Sequence, residues 1–115
     1  VVGKIVTIAA VHDSLFMQMA LKSNQKQFLR QRAHHLKPVV LIGQHGLGEN
    51  VLAEIDNALA YHELIKVKVN AGDREERQQL IDQILANSQA ELIQQIGHVA
   101  VFYRPAEEPK IQLPR

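Results

Sequence analysis

Gly43, Gln44, His45 and Gly46 stand between an apolar run, Val39 to Ile42, and a segment with helical spacing, Glu49 to Tyr61. Two glycines at this spacing let the main chain come close to a nucleic-acid backbone, so that N–H groups can meet phosphate. A helix that starts just after them adds the positive end of its dipole. Gln44 and His45 can donate further hydrogen bonds. The alternative for a motif this short is a tight turn with no ligand. Nucleotide chemistry is excluded by required residues. Gly43 to Gly48 has the spacing of a Walker loop, but Glu49 and Asn50 occupy the Lys and Ser/Thr positions. A dinucleotide fingerprint begun at Gly46 meets Val51 where a third Gly or Ala is needed.

No other constellation assembles a reaction. The chain has six His but no Cys, and no H-E-x-x-H pattern. His34 and His35 are adjacent, so on a helix they diverge by about 100°. No metal, cofactor or catalytic set is therefore predicted, and Asp73, Glu75 and Glu76 read as helix-start residues. The absence of Cys suits a cytoplasmic protein. With no Trp, two Tyr and three Phe, the chain is poorly supplied for stacking bases on aromatics.

Charge is distributed unevenly beneath a net +1. From Ser14 to Gly48 there is no Asp or Glu, while Lys22, Lys26, Arg30, Arg32 and Lys37 fall there with three His. Such asymmetry points to a polyanion. A solvated helix face, or a basic helix that docks on an acidic partner protein, would use the same residues. Lys66 and Lys68 on one strand face extend this surface or are solvated; Arg104 contacts the polyanion or makes a structural ion pair.

The elements that must position these groups follow from periodicity. Ser23 is predicted to cap a helix that runs to about His35, with Leu29, Ala33 and Leu36 inward. Lys37-Pro38 ends it. Val39 to Ile42 reads as a strand buried on both faces. Glu49 to Tyr61 is a helix with Val51, Leu52, Ile55, Ala58 and Leu59 inward, and Gly48 fits its N-cap. Leu64 to Val69 alternates, with Ile65, Val67 and Val69 on one side and Leu64, Lys66 and Lys68 on the other. Asp73 and Glu76 have capping-box spacing for a third helix, with Leu80, Ile81, Ile84 and Leu85 inward. Asn87 is read as its left-handed terminator. Gly97-His98 suits a type II′ hairpin turn between strands at Leu92 to Ile96 and Val99 to Arg104, with Tyr103 in packing. Pro105, Pro109 and Pro114 make the tail, 105–115, extended. The fold class is an α/β sandwich, αβαβαββ, with a mixed four-stranded sheet. Residues 1–18, "VVGKIVTIAAVHDSLFMQ", read as an extension outside a domain of 19–104. No apolar run approaches the ~20 residues of a membrane span.

"LRQRAHHLKPVVLIGQHGL", "VLAEIDNAL", "HELIKVKV" and "IGHVAVFYR" together resemble the CRM domain family, named for chloroplast RNA splicing and ribosome maturation. With little besides one domain, the chain is similar to the stand-alone bacterial, YhbY-type members. The likeness runs from about Leu21 to Arg115. It implies a fold like the C-terminal domain of translation initiation factor 3, and RNA binding without catalysis. It also implies association with precursors of the large ribosomal subunit, hence a ribosomal RNA partner; a monomer is favoured. The family's loop falls on Gly43, Gln44, His45 and Gly46, its basic first helix on Lys22, Lys26, Arg30 and Arg32, and its "LKP" on Lys37. One departure is Gly48, where members often carry Thr or Ser.

Overall fold

A computed structural model describes residues 21–115. The assignment of residues 1–18 to an extension lies outside the described residues. Seven elements follow in order: α1 (Ser23–Ala33), β1 (Pro38–Ile42), α2 (Glu49–His62), β2 (Leu64–Val69), α3 (Arg74–Ser88), β3 (Glu91–Ile96) and β4 (Val99–Tyr103). This is the αβαβαββ sandwich expected. The four strands form one mixed sheet in the order β1-β2-β4-β3. β1 and β2 pair in parallel, and β4 runs antiparallel to both β2 and β3. The last strand in sequence is thus inserted between two earlier ones. The hairpin makes this possible: Gly97 has φ 57 while His98 does not enter the left-handed region, as a type II′ turn needs.

The helices divide between the two faces. α2 and α3 cover one face, where Ile55, Leu59, Ile81 and Ile84 meet Val40, Ile42, Ile65, Val67, Val69, Ala100 and Phe102. α1 and the C-terminal tail lie on the other, where Leu29, Ala33 and Ile111 meet Leu64, Ile93, Val101 and Tyr103. Alternation along β2 is as read: Ile65, Val67 and Val69 are buried, whereas Lys68 is exposed.

Four local expectations are corrected. Lys22, in extended geometry, is the N-cap of α1, and Ser23 is its first helical residue. The Lys22 N–H donates to Gln25 Oε1 at 2.9 Å, so an amide three residues on does the capping. The helix ends at Ala33, and Leu36 falls outside it, 36% exposed. β1 is buried on one face only. Val40 and Ile42 are covered, but Val39 is 44% and Leu41 61% exposed, because α1 packs across β2, β3 and β4 and leaves edge strand β1 bare. At the end of α3, Gln89 rather than Asn87 takes the left-handed position, at φ 59; Asn87 Nδ2 instead donates to Gln83 O at 2.8 Å.

The tail, without regular structure from Arg104 onward, is pinned to the domain by Glu63. This residue follows α2 with φ 67 and ψ −44 and is 1% exposed. Its Oε2 accepts from Ala106 N–H at 3.1 Å, and its Oε1 from Lys110 N–H at 2.8 Å and Ile111 N–H at 3.1 Å. Its own carbonyl accepts from Arg104 N–H at 2.9 Å. A carboxylate is an apt anchor here, since it accepts several main-chain donors at once.

Candidate nucleic-acid interface

The G-x-x-G segment is a closed turn. Gly46 N–H donates to Gly43 O at 3.0 Å, with Gln44 and His45 exposed at the tip. The two glycines are there for different reasons. Gly46 has φ +72, a backbone state L side chains rarely adopt, so the turn itself requires glycine. Gly43 lies outside that region, and a Cβ added to it would meet nothing within 4 Å. Nothing within the described residues demands a glycine at 43. Leu47 packs on the α2/α3 core and anchors the loop from below. Gly48, with φ −103 and ψ 174, is the N-cap of α2, as read, and gives no side-chain bond to the first-turn N–H groups.

Register determines which basic residues accompany this loop. Leu41, two positions before Gly43, pairs with Lys68, and Lys68 pairs with Val99. Val99 in turn pairs with Ile96. Directly paired residues share a sheet face, and this is the α1 face, because Val40, Ile42, Val67 and Ala100 occupy the other. Lys66, half-buried, lies two residues back along β2 on the same face. Lys66 and Lys68 therefore stand next to the loop.

The basic residues of the first helix do not all stand beside the loop. Its N-terminal end is tied to the tail, with Asn24 Nδ2 donating to Arg115 O at 3.1 Å and Gln25 Nε2 to Pro114 O at 2.9 Å. Lys26 is half-buried and close enough to Glu91 to draw that carboxyl's pKa down. Burial acts more strongly and leaves the Glu91 pKa raised overall. Glu91 pairs with Tyr103 at the sheet end opposite the loop. The Tyr103 phenol is likewise raised, first by burial, then by Glu63 and Glu91. Tyr103 is 4% exposed, in the packing role read for it. Lys22 belongs to the same end. Arg30 is exposed and donates through Nε to Ile93 O at 3.2 Å, and its terminal N–H groups have no partner among the described residues. Arg32 and Lys37 are exposed.

Arg104 takes the structural one of its two readings, a correction to its place among the contact residues. Its Nη1 meets Asp56 Oδ1 at 2.7 Å and Ser88 O at 2.9 Å, and its Nη2 meets Asp56 O at 3.0 Å. A guanidinium engaged in this fork clasps α2 to the end of α3 and has few donors left for a ligand. Glu63 is the functional-looking residue that sequence reasoning missed. An acid just before an apolar strand reads as a surface charge, and its partners lie more than forty positions away. Among the described residues, no group of three His, Asp or Glu could hold a metal ion, and no helix is long and apolar enough to cross a membrane.

An α/β sandwich with a glycine-flanked turn between an edge strand and a helix is the class these features define. The chain belongs to the CRS1 / YhbY (CRM) domain family, whose model matches residues 21–104. It is 59% identical over 95 residues to an "RNA-binding protein" of Haemophilus influenzae, covering 83% of this chain and 96% of that one. It is 38% identical over 95 residues to the "Probable RNA-binding protein YqeI" of Bacillus subtilis, covering 82% of this chain and 99% of the relative. The solution structure of a hypothetical Staphylococcus aureus protein superposes with a TM-score of 0.67 at 35% identity, over 82% of this chain and 99% of that chain.

Proposed function

We propose that this chain is a non-enzymatic RNA-binding protein that associates in the cytoplasm with precursors of the large ribosomal subunit and assists their assembly. Its partner is ribosomal RNA, and it acts as a single domain of residues 19–104 with its tail. The Gly43–Gly46 turn lies against the RNA backbone. Arg30, Arg32, Lys37, Lys66 and Lys68 supply the surrounding positive charge, while Lys22 and Lys26 contribute from the far end. Contacts of this kind position RNA without reading its sequence, so recognition depends mainly on shape.

The observation that carries this reading is Gly43. Its backbone conformation and surroundings tolerate a side chain, and it is exposed. A glycine that the fold does not need is explained by a ligand that approaches its Cα closely. Gly43→Ala separates the two causes. The variant should unfold at the wild-type denaturant concentration or slightly above it. It should bind a ribosomal RNA fragment about tenfold more weakly, as a lost backbone contact of about 1.4 kcal/mol implies. Wild-type affinity in Gly43→Ala would remove the loop from the interface. Affinity that falls steeply with salt is expected for the whole protein. Co-purification with a protein partner that survives nuclease treatment, without any RNA affinity, would replace this reading with docking of the basic helix on an acidic protein.

A further inference from the structure

The row Leu41–Lys68–Val99–Ile96 crosses all four strands on the α1 face, at the loop end of the sheet. α1 and the tail cover Leu64, Ile93, Val101 and Tyr103 and stop short of it. Leu41 is 61% and Ile96 65% exposed, and Lys68 is exposed between them. Two large aliphatic side chains at either side of a lysine form a mixed surface, whereas most of the other large aliphatics among the described residues are buried.

We infer that this row seats an unpaired RNA nucleotide, with the base lying on Leu41, Val99 and Ile96 and a neighbouring phosphate against Lys68. The inference rests on the RNA reading above and specifies the form of RNA that the site takes. Charge complementarity selects the occupant. No acidic residue is paired in this row or in the adjoining pairing of Lys66, Val101 and Gln94, and α1 contains none. A second copy docked on the same row would set lysine against lysine with no carboxylate between, which disfavours that pairing. A polyanion gains from both lysines. Duplex RNA keeps its base faces stacked inside the helix and presents phosphate and ribose, so it offers nothing to Leu41 and Ile96. Unpaired bases expose a flat apolar face that packs on such side chains. Leu41 lies two residues before Gly43, so a strand held along the turn passes directly onto the row.

The test compares the full-length wild type with the double variant Leu41→Gln/Ile96→Gln and with Lys68→Gln, titrated with a short single-stranded RNA and with a duplex of the same sequence. The double variant should bind the single strand about tenfold more weakly, with an unchanged salt slope and unchanged duplex binding. Lys68→Gln should shallow the single-strand salt slope by about 0.7, one phosphate contact. Both altered side chains of the double variant are exposed, so its unfolding midpoint should match the wild type. If it binds single strand and duplex as the wild type does, the nucleotide seat is overturned; weakened binding by Gly43→Ala in the same assay would leave the backbone clamp standing. Absence of RNA binding by the wild type would overturn both readings. A change in sedimentation with no change in RNA affinity would instead identify a second copy as the occupant and overturn the seat.

Discussion

On one side of the sheet, Val40, Ile42, Ile65, Val67, Val69, Ala100 and Phe102 lie under two helices, each nearly inaccessible. On the other, α1 and a length of irregular tail cover Leu64, Ile93, Val101 and Tyr103, and among the described residues nothing covers Leu41 and Ile96. The same strands supply both sides by alternation, so the difference lies in what packs on them. The side with two helices combines a large apolar core with the Arg104 clasp between α2 and α3. The other needs a polar fastening, Glu63, to bring the tail into place, and it retains bare sheet next to the G-x-x-G turn. The proposed RNA contact thus falls on the face opposite the more deeply buried core.

Side-chain truncation tests this division most strongly. Phe102→Ala on the doubly covered face should lower the unfolding free energy by about 3–5 kcal/mol. Leu41→Ala on the bare row should stay within about 0.5 kcal/mol of wild type. Urea denaturation of both variants measures the contrast, and comparable losses would break it.

The fastening should have an intermediate effect. Glu63→Ala removes the acceptor for three main-chain N–H groups, at about 1.5–3 kcal/mol for each charge-assisted bond. The exposed Lys110 amide can turn to water, so a net loss of about 3 kcal/mol is expected. Amide exchange should accelerate at Ala106, Lys110 and Ile111 well before it does in β2. Uniform acceleration would show that the tail is not a separate unit.

The smallest effect concerns Glu91, on the singly covered side. Its folded-state pKa is raised, chiefly by burial, and one carboxylate oxygen is buried without a partner among the described residues. A raised carboxyl means the folded state holds its proton more tightly than the unfolded one. The group therefore detracts from stability once pH exceeds its folded value, and detracts nothing below the unfolded value. Glu91→Gln should give a slightly higher Tm at neutral pH, and that advantage should fade as pH falls toward the ordinary glutamate value of 4.5. A gain that persists in acid would assign the effect to packing.

Much of this was readable from residue order because single elements carry their own signal. Leu64 to Val69 alternates, so its buried side could be named before any partner was known. Gly97-His98 demands a turn, and Asp73 with Glu76 marks a helix start, realised as Glu76 N–H donating to Asp73 Oδ1 at 2.9 Å. The half-bare state of β1 was not readable. Four consecutive apolar residues look the same whether one face or both are covered, and α1's choice of β2, β3 and β4 is a tertiary fact. The placement of the first helix was not readable for a similar reason. Spacing aligned Lys22, Lys26 and Arg30 on a helix but could not say that the helix begins beside Glu91, at the end of the sheet away from the turn. The turn itself was legible to the residue, as was Gly48 at the start of α2.

β1 opens with Pro38 and breaks register between Pro38 and Val40. An edge strand reading Pro-Val-Val-Leu-Ile, with Pro38, Val39 and Leu41 exposed, has the composition of a segment that recruits further strands into aggregates. Proline contributes no N–H to such a recruit, and an irregular residue early in the strand twists the border away from the flat geometry a newcomer would match. Pro38 thus guards an edge on which Leu41 is exposed, and Pro38→Val is the replacement most apt to turn that edge into a seed for fibres.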